Sequence, residues 1–392
     1  MRLVFVADGR SPIARSWIEY FVRVERDVRL VSTRPCAGIP GLASLEIVSL
    51  WPGGGAGAAR RQRNLAVVTA LRHWLGPWMV RRRAATLRGI LRQWSPDLVH
   101  ALRLPYEGML AAAADPAAPL AISTWGNDLT LHAPASPMMR WSTRHSLRRA
   151  AGLHADCRRD EHLAATWGFR AVRPTLVVPG NGGVRRQAFF PGRGANDPDF
   201  GIDPRALVVV QPRGLRAYVR SDTFFRAIPL IRQHRPEVVF ACPAMEGAAE
   251  AERWRSKLDL GSSLRLLPAL DAASMGALFR RASVSVSPST HDGTPNTLLE
   301  AMACGCLPVA GDLDSIREWV SDGENGLLVD PADESALAAA VLRGLSQEGF
   351  RARAAAINVR RIAERAEYDA CMAQASSFYE RVLRGGPEVD AL

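Results

Sequence analysis

The sequence predicts an α/β chain built on two doubly wound parallel sheets, and three observations lead there. Short β-branched runs alternate with longer amphipathic segments along almost the whole chain, the mark of βαβ units. The rhythm comes in two series, separated by FFPGRGANDPDFGIDPR, residues 189–205, a Gly-, Pro- and Asp-rich stretch of linker composition. At 392 residues, 47% hydrophobic and 23% charged, the chain has apolar mass for two ordinary cores. The expected organisation is a first domain over 1–188, a linker over 189–205, a second domain over 206–365, and a helix over 366–392 packing back on the first domain.

The first series places strands at 3–7, 28–32, 45–50, 98–101, 120–124, 153–157 and 175–179. The second places them at 207–211, 238–242, 264–267, 284–287, 308–310 and 327–329. MRLVFVADG turns polar too soon for a signal peptide and reads as the first strand. No apolar run reaches about 18 residues, so no spanning helix is expected. In ADGRSP, Gly9 makes a turn, Ser11 caps, and Pro12 opens a helix. That puts Gly9 and Arg10 at the carboxyl end of a strand, where open α/β sheets bind ligands. An ordinary capped helix explains the same residues.

The formal charge is +11, and it is unevenly spread. Residues 47–96 contain no acid but hold Arg60, Arg61, Arg63, Arg72, Arg81, Arg82, Arg83, Arg88 and Arg92. A basic face of this kind seeks phosphate. Trp74, Trp78 and Trp94 interleave with it, and LRHWLGPWMVRRRAATLRGILRQW reads as two amphipathic helices interrupted at Gly76-Pro77. The segment 60–94 therefore suits an anionic membrane surface, or else a solvated helix face above core tryptophans. Nucleic acid is not expected, because nothing resembles a base-reading or stacking module. The six cysteines are scattered, which fits buried thiols, a reducing cytoplasm and no metal site.

The stretch HDGTPNTLLEAMACG, residues 291–305, carries the chemistry. Thr294 reads as an N-cap and Pro295 as the first helical residue, with Gly305 ending the helix. The amides of Asn296, Thr297 and Leu298 would then be open at the positive end of a helix dipole, a ready site for a diphosphate. Glu300 lies one turn deeper on the face of Asn296, placed for a diol such as a ribose. Asp292 precedes the helix and would reach the group beyond the phosphate. A capped helix with solvated acids explains part of this pattern only.

Residues 287–331, SPSTHDGTPNTLLEAMACGCLPVAGDLDSIREWVSDGENGLLVDP, resemble the C-terminal signature of glycosyltransferase family 4. The resemblance implies a GT-B fold, in which two Rossmann-like domains face each other across a cleft, and retaining transfer from a nucleoside diphosphate sugar. The family's first Glu is Asp292 here, and two residues stand between Gly305 and Pro308 where one is common. By resemblance, Asp292 orients the transferred sugar, Glu300 binds the ribose, and Gly293, Thr294, Asn296 and Thr297 meet sugar and phosphates. QPRGLRAYVRSD holds the cations expected for the leaving diphosphate: Arg213 and Arg220, with Arg216 as a rival. STWGNDLTLHA aligns with the family's His-Gly-x-Asp stretch through Gly126 and Asp128, with Trp125 in the His position. Trp125 fits a sugar-stacking face or core filling equally. His132 lies seven residues beyond Trp125 and is not a substitute for that His; His100 fits the cleft edge or the core. The expected partners are a nucleotide-sugar and a glycan or lipid-linked acceptor, with no cofactor and no metal. Epimerisation of a nucleotide-sugar on the same fold, or plain binding of anionic polymers, are the alternatives.

Overall fold

The computed structural model describes residues 1–25, 27–51, 65–194 and 197–385. They form two compact units, one of residues 1–182 with the segment from 370 onward, the other of residues 183–369.

The first unit is a seven-stranded, all-parallel sheet: β1 Arg2–Ala7, β2 Asp27–Ser32, β3 Ser44–Ile47, β4 Leu98–Ala101, β5 Leu120–Thr124, β6 Gly152–Ala155 and β7 Thr175–Val177. Its order is β3-β2-β1-β4-β5-β6-β7, so the winding reverses between β1 and β4. The second unit is a six-stranded parallel sheet: β8 Val208–Val210, β9 Val239–Cys242, β10 Leu264–Leu266, β11 Val284–Ser287, β12 Leu307–Gly311 and β13 Leu327–Val329. Its order, β10-β9-β8-β11-β12-β13, reverses between β8 and β11. Each of the apolar runs read from the sequence carries one of these strands. Most strand residues are buried because helices cover parallel sheets on both faces.

Two features differ from expectation. The segment 189–205 belongs to the second unit rather than standing between units: Phe189 and Ile202 are buried in that unit's core beside Val208 and Phe279. The basic segment forms one continuous helix, Leu65–Trp94, with Pro77 inside it. A proline in a helix interior costs about 3 kcal/mol. Burial of Val80, Leu87, Leu91 and Trp94 in the first core outweighs this, at about 1.5–3 kcal/mol per large apolar side chain. Gly76 is needed there, since a Cβ would come within 2.2 Å of the Tyr106 ring. Arg60, Arg61 and Arg63 lie outside the described residues.

The last helix, Tyr368–Leu383, belongs to the first unit from residue 370 onward. Within the first unit, the buried Tyr379 hydroxyl accepts from Trp17 Nε1 at 2.9 Å and hydrogen-bonds His100 Nδ1 at 2.6 Å. His100 Nε2 then meets Ser123 Oγ, which meets His154 Nδ1, and His154 Nε2 donates to the Val178 carbonyl. His100 is thus a packed, fully satisfied core residue.

Candidate functional site

In the second unit the loops after β8 and β11, the two strands at the reversal, are bound to each other. Gln211, fully buried, holds the first loop through Gly214 O and Ser221 Oγ, both at 3.4 Å. Gly214 takes φ +63°, which a side chain would strain. Thr290 N donates to Tyr218 O at 2.8 Å, tying the two loops together. Arg213 Nη1 donates to Ser289 Oγ at 3.1 Å and pairs with Asp292 Oδ2, with both side chains about nine-tenths buried. The Asp292 carbonyl accepts from Ser315 Oγ at 2.7 Å. Gly311, at the end of β12, lets this loop lie close, because a Cβ would meet Ser289 O at 2.3 Å.

The helix is Asn296–Ala303, with extended Pro295 as its N-cap, one residue later than expected. Thr294 is therefore not the cap; its hydroxyl accepts from Trp319 Nε1 at 3.1 Å. The Leu298 amide is not open either, since it donates to Pro295 O at 3.0 Å. The extended proline turns its carbonyl back onto the helix start, leaving the amides of Asn296 and Thr297 at the open end. Thr297 Oγ1 is buried and has no partner among the described residues. Glu300 takes no hydrogen bond or ion pair among them, and burial pushes its carboxyl up to about 7. Gly293 is buried beside Asp292.

The remaining arginines of the first loop divide. Arg220, at φ +51°, forks onto Asp222 at 3.0 and 3.1 Å. Arg226 adds a third bond to that carboxyl, and hydrogen bonds from Arg220 first, then Arg226, hold it down to about 2. Arg216 is exposed and donates to the Tyr218 hydroxyl at 3.2 Å.

In the first unit a cavity of about 250 Å³ opens at the carboxyl ends of β1, β2, β4 and β5. Asp8, Arg34, Arg103 and Trp125 reach it from those strand ends, and Trp51 and Arg72 from the following segments. The turn after β4 is irregular: Arg103 at φ +139° and Tyr106 at φ +72° occupy conformations costing about 1–3 kcal/mol each. That turn delivers Tyr106 and Glu107 to the cavity. Burial raises the Glu107 carboxyl to about 7, against the 2.7 Å hydrogen bond that Thr33 Oγ1 donates.

Gly9 and Arg10 stand at this end, each with a local reason. A Cβ on Gly9 would meet Cys36 Sγ at 2.4 Å, and Arg10 forks onto Asp8 at 3.0 and 2.7 Å. Asp128 is fully buried, accepting from Arg103 Nε and the Trp125 amide, both at 3.0 Å; it shapes the turn rather than facing solvent. Trp125 is 9% exposed and lines the cavity, and its Nε1 has no partner among the described residues. His132 also lines it, in a 3.0 Å hydrogen bond with His73; burial, then Arg103, lowers it to about 3.

Asp156, Cys157 and Asp160 could together hold a cation. Gly126 N donates to Asp156 Oδ2 and Arg159 donates twice to Asp160 Oδ1, while Asp160 Oδ2 is buried with no hydrogen-bond partner among the described residues. Burial also pushes the Cys157 thiol far up, which opposes the thiolate a metal needs.

Residues 9–180 match the glycosyl transferase 4-like domain, and residues 212–347 match glycosyl transferases group 1. The chain belongs to glycosyltransferase family 4. Among curated relatives of this glycosyltransferase, D-inositol 3-phosphate glycosyltransferase of Geodermatophilus obscurus is 30% identical over 54% of this chain and 51% of its own length. Phosphatidyl-myo-inositol mannosyltransferase of Mycolicibacterium smegmatis is 33% identical over 43% of this chain and 45% of its own. The chain thus spans about half the length of the curated relatives it matches. Among solved structures, sucrose-phosphate synthase of Thermosynechococcus elongatus superposes with a TM-score of 0.78 at 15% identity, covering 98% of this chain and 100% of that one. Anabaena HepE, solved in complex with UDP-glucose, gives 0.74 at 17% identity, covering 97% and 99%. These likenesses give the fold, GT-B.

Sequence reasoning passed over Arg34, Arg103, Tyr106 and Glu107 in this glycosyltransferase. A positional signal existed: Arg34 stands two residues past β2, and Arg103 two past β4. Arg72 was visible only as one charge of a basic run.

Proposed function

We propose that the protein is a retaining glycosyltransferase that moves a sugar from a nucleoside diphosphate sugar to a hydroxyl on a glycan or lipid-linked acceptor. The observation that carries this is the buried Arg213–Asp292 pair beside the open start of the helix Asn296–Ala303, with unpartnered Glu300 one turn deeper. Glu300 holds the ribose diol. The amides of Asn296 and Thr297 take phosphate oxygens, and Gly293 and Thr294 shape the turn against the sugar. Arg213 and Arg220, with Arg216 at the rim, stabilise the departing diphosphate, an electrostatic role met here without a metal. Asp292 orients the sugar. In the front-face step, the bond from anomeric carbon to phosphate oxygen breaks as a bond to the acceptor oxygen forms on the same face. The acceptor's proton passes to the leaving phosphate.

The test is a melting-temperature panel with UDP-, GDP- and ADP-sugars, since ligands of the native state raise it. At least one should raise it, with no change on adding EDTA. No response to any of them, or an absolute need for divalent metal, overturns the proposal.

The acceptor side is proposed to work at an anionic membrane surface. No helix among the described residues is long and apolar enough to cross a membrane. The support is on the helix Leu65–Trp94, where Trp74 is 56% and Trp78 46% exposed. Arg82 lies over the Trp78 ring and Arg81 over that of exposed Trp141. Trp94 is not part of this face, being buried in the core. Each basic residue near an anionic surface contributes about 1 kcal/mol. Co-sedimentation with anionic liposomes should therefore weaken with salt and fall when Arg81, Arg82 and Arg83 become Ser. Wild-type protein that ignores such liposomes at low salt removes the membrane from the proposal.

A further inference from the structure

The cavity at the carboxyl end of the first sheet gathers more positive charge than its own acids neutralise. Arg10 forks onto Asp8, and Arg103 pairs with Asp128. Arg34 and Arg72 form no ion pair among the described residues, although both line the cavity beside Asp8 and Glu107. Arg72 lies 5.0 Å over the Trp51 ring, so it is positioned without being neutralised. Burial first, then the charges of Arg72 and Arg10, depress the Arg34 guanidinium, and the smaller attractions of Asp8 and Glu107 do not offset them. Like charges collected in a half-buried hollow raise its free energy until an anion joins them.

A second observation is independent of charge. Trp125 Nε1 is buried, has no acceptor among the described residues, and belongs to a side chain lining the same cavity. An unmade hydrogen bond of this kind costs about 1–3 kcal/mol, a cost that a ligand oxygen removes. Glu107 offers an acceptor, fixed by Thr33. The walls are aromatic, with Trp51 and Tyr106 edge to face at 5.5 Å. The cavity, at about 250 Å³, is slightly below the ~300–1,000 Å³ of drug-sized sites, which suits a compact ligand. Two fork-shaped cations match the oxygens of a phosphate, and a neutral donor with a carboxyl matches hydroxyls.

We propose that this cavity is the acceptor subsite for a phosphorylated polyol, with Arg34 and Arg72 clamping the phosphate and Trp125 and Glu107 meeting the hydroxyls. The proposal rests on the glycosyltransferase reading, in which the first unit takes the acceptor. The phosphate belongs to a free polyol phosphate or to a lipid headgroup; the chemistry recognised is the same.

Calorimetric titration tests it on the whole chain. The probes are inositol monophosphate, sorbitol 6-phosphate and their unphosphorylated parents, at constant ionic strength. At least one phosphorylated probe should bind tenfold or more tightly than its parent. Arg34→Gln and Arg72→Gln should each weaken that probe at least tenfold, and Arg34→Lys should recover part of the loss. Nucleotide binding by the second unit, measured on the same samples, should be unchanged and reports that each variant is folded. Parents that bind as tightly as their phosphates, or variants that leave the phosphorylated probe unaffected, overturn the proposal. Failure of the wild type to bind any nucleotide would instead overturn the glycosyltransferase reading, with the phosphate result still read on its own. Vesicles of phosphatidylinositol identify the source: binding lost in the Arg34 and Arg72 variants assigns a headgroup, and binding retained while the soluble probe is lost assigns a free polyol phosphate.

Discussion

In the second unit the arginines after β8 already have acceptors: Arg213 holds Asp292 and Ser289, Arg220 forks onto Asp222, and Arg216 reaches Tyr218. In the first unit, at the equivalent end of an equally wound sheet, Arg34 and Arg72 form no ion pair among the described residues, with Asp8 and Glu107 only nearby. The difference separates two tasks. Groups that stabilise charge developing in a reaction work best when fixed beforehand, so that nothing reorganises as the bond breaks. A binding subsite can leave its neutralisation to the ligand, whose affinity then includes relief of the repulsion.

The largest effect is expected where the fixed arrangement is broken. Arg213→Ala leaves Asp292 buried without this ion pair, and Asp292→Asn removes the charge while keeping the shape. Each should lower turnover by about 10²–10³, the loss seen when one fixed stabilising group is removed. For Asp292→Asn the loss should appear in kcat with little change in donor affinity. Steady-state kinetics decide it. Normal turnover in both variants would make the pair purely structural and erase the contrast between the units.

Why one unit was more legible than the other follows from the same loops. The strands were readable throughout because parallel strands buried on both faces read as near-continuous apolar runs, as VVV at β8 and LVFVA within β1 do. The second site was readable because its chemistry is local: Asp292 to Glu300 lies on one turn and one helix. Its cap was misplaced by one residue, because Thr294 has a better partner in Trp319, a contact between residues 25 apart. The first site is assembled from strand ends far apart in sequence, and its key turn depends on positive φ at Arg103 and Tyr106, which no residue type there announces. The hydrogen bonds of Tyr379 to Trp17 and His100 span 362 and 279 residues, beyond any local pattern. Pro77 misled for the opposite reason: a strong local signal was overridden by burial of the rest of its helix.

An intermediate effect is expected at Glu300, and it sharpens the comparison through pH. Burial raises its carboxyl to about 7 from an ordinary 4.5. The folded state then holds this proton more tightly than the unfolded chain. Its contribution to stability is present below about 4.5 and is lost as pH rises through about 7. Donor binding should move the other way, because the ionised carboxylate is the stronger acceptor for a diol. Affinity for the nucleotide should rise between pH 6 and 8, and Glu300→Gln should flatten that rise while weakening binding at pH 8 by about 1.5–3 kcal/mol. Titrations across this range check both parts; a wild-type affinity indifferent to pH would show that Glu300 does not touch the ligand.

The smallest effect is expected at Thr297, where fold and function predict opposite signs. Its hydroxyl is buried at the start of the helix Asn296–Ala303 without a partner among the described residues, the condition of Trp125 Nε1 in the first unit. A buried hydroxyl with no partner costs free energy, so replacing it with a methyl of similar volume should not harm the fold. Thr297→Val should therefore melt at or slightly above the wild-type temperature in the absence of ligand. With the nucleotide-sugar bound, the same hydroxyl finds a phosphate or sugar oxygen, and its loss should weaken the donor by about 0.5–1.5 kcal/mol. The stabilisation that a fixed donor concentration gives should shrink in the variant by a matching amount. Melting curves with and without donor read both quantities on one sample. A variant that melts lower without ligand and keeps full donor affinity would mean that the hydroxyl serves the fold, and that only the amides and Glu300 remain to meet the ligand on this helix.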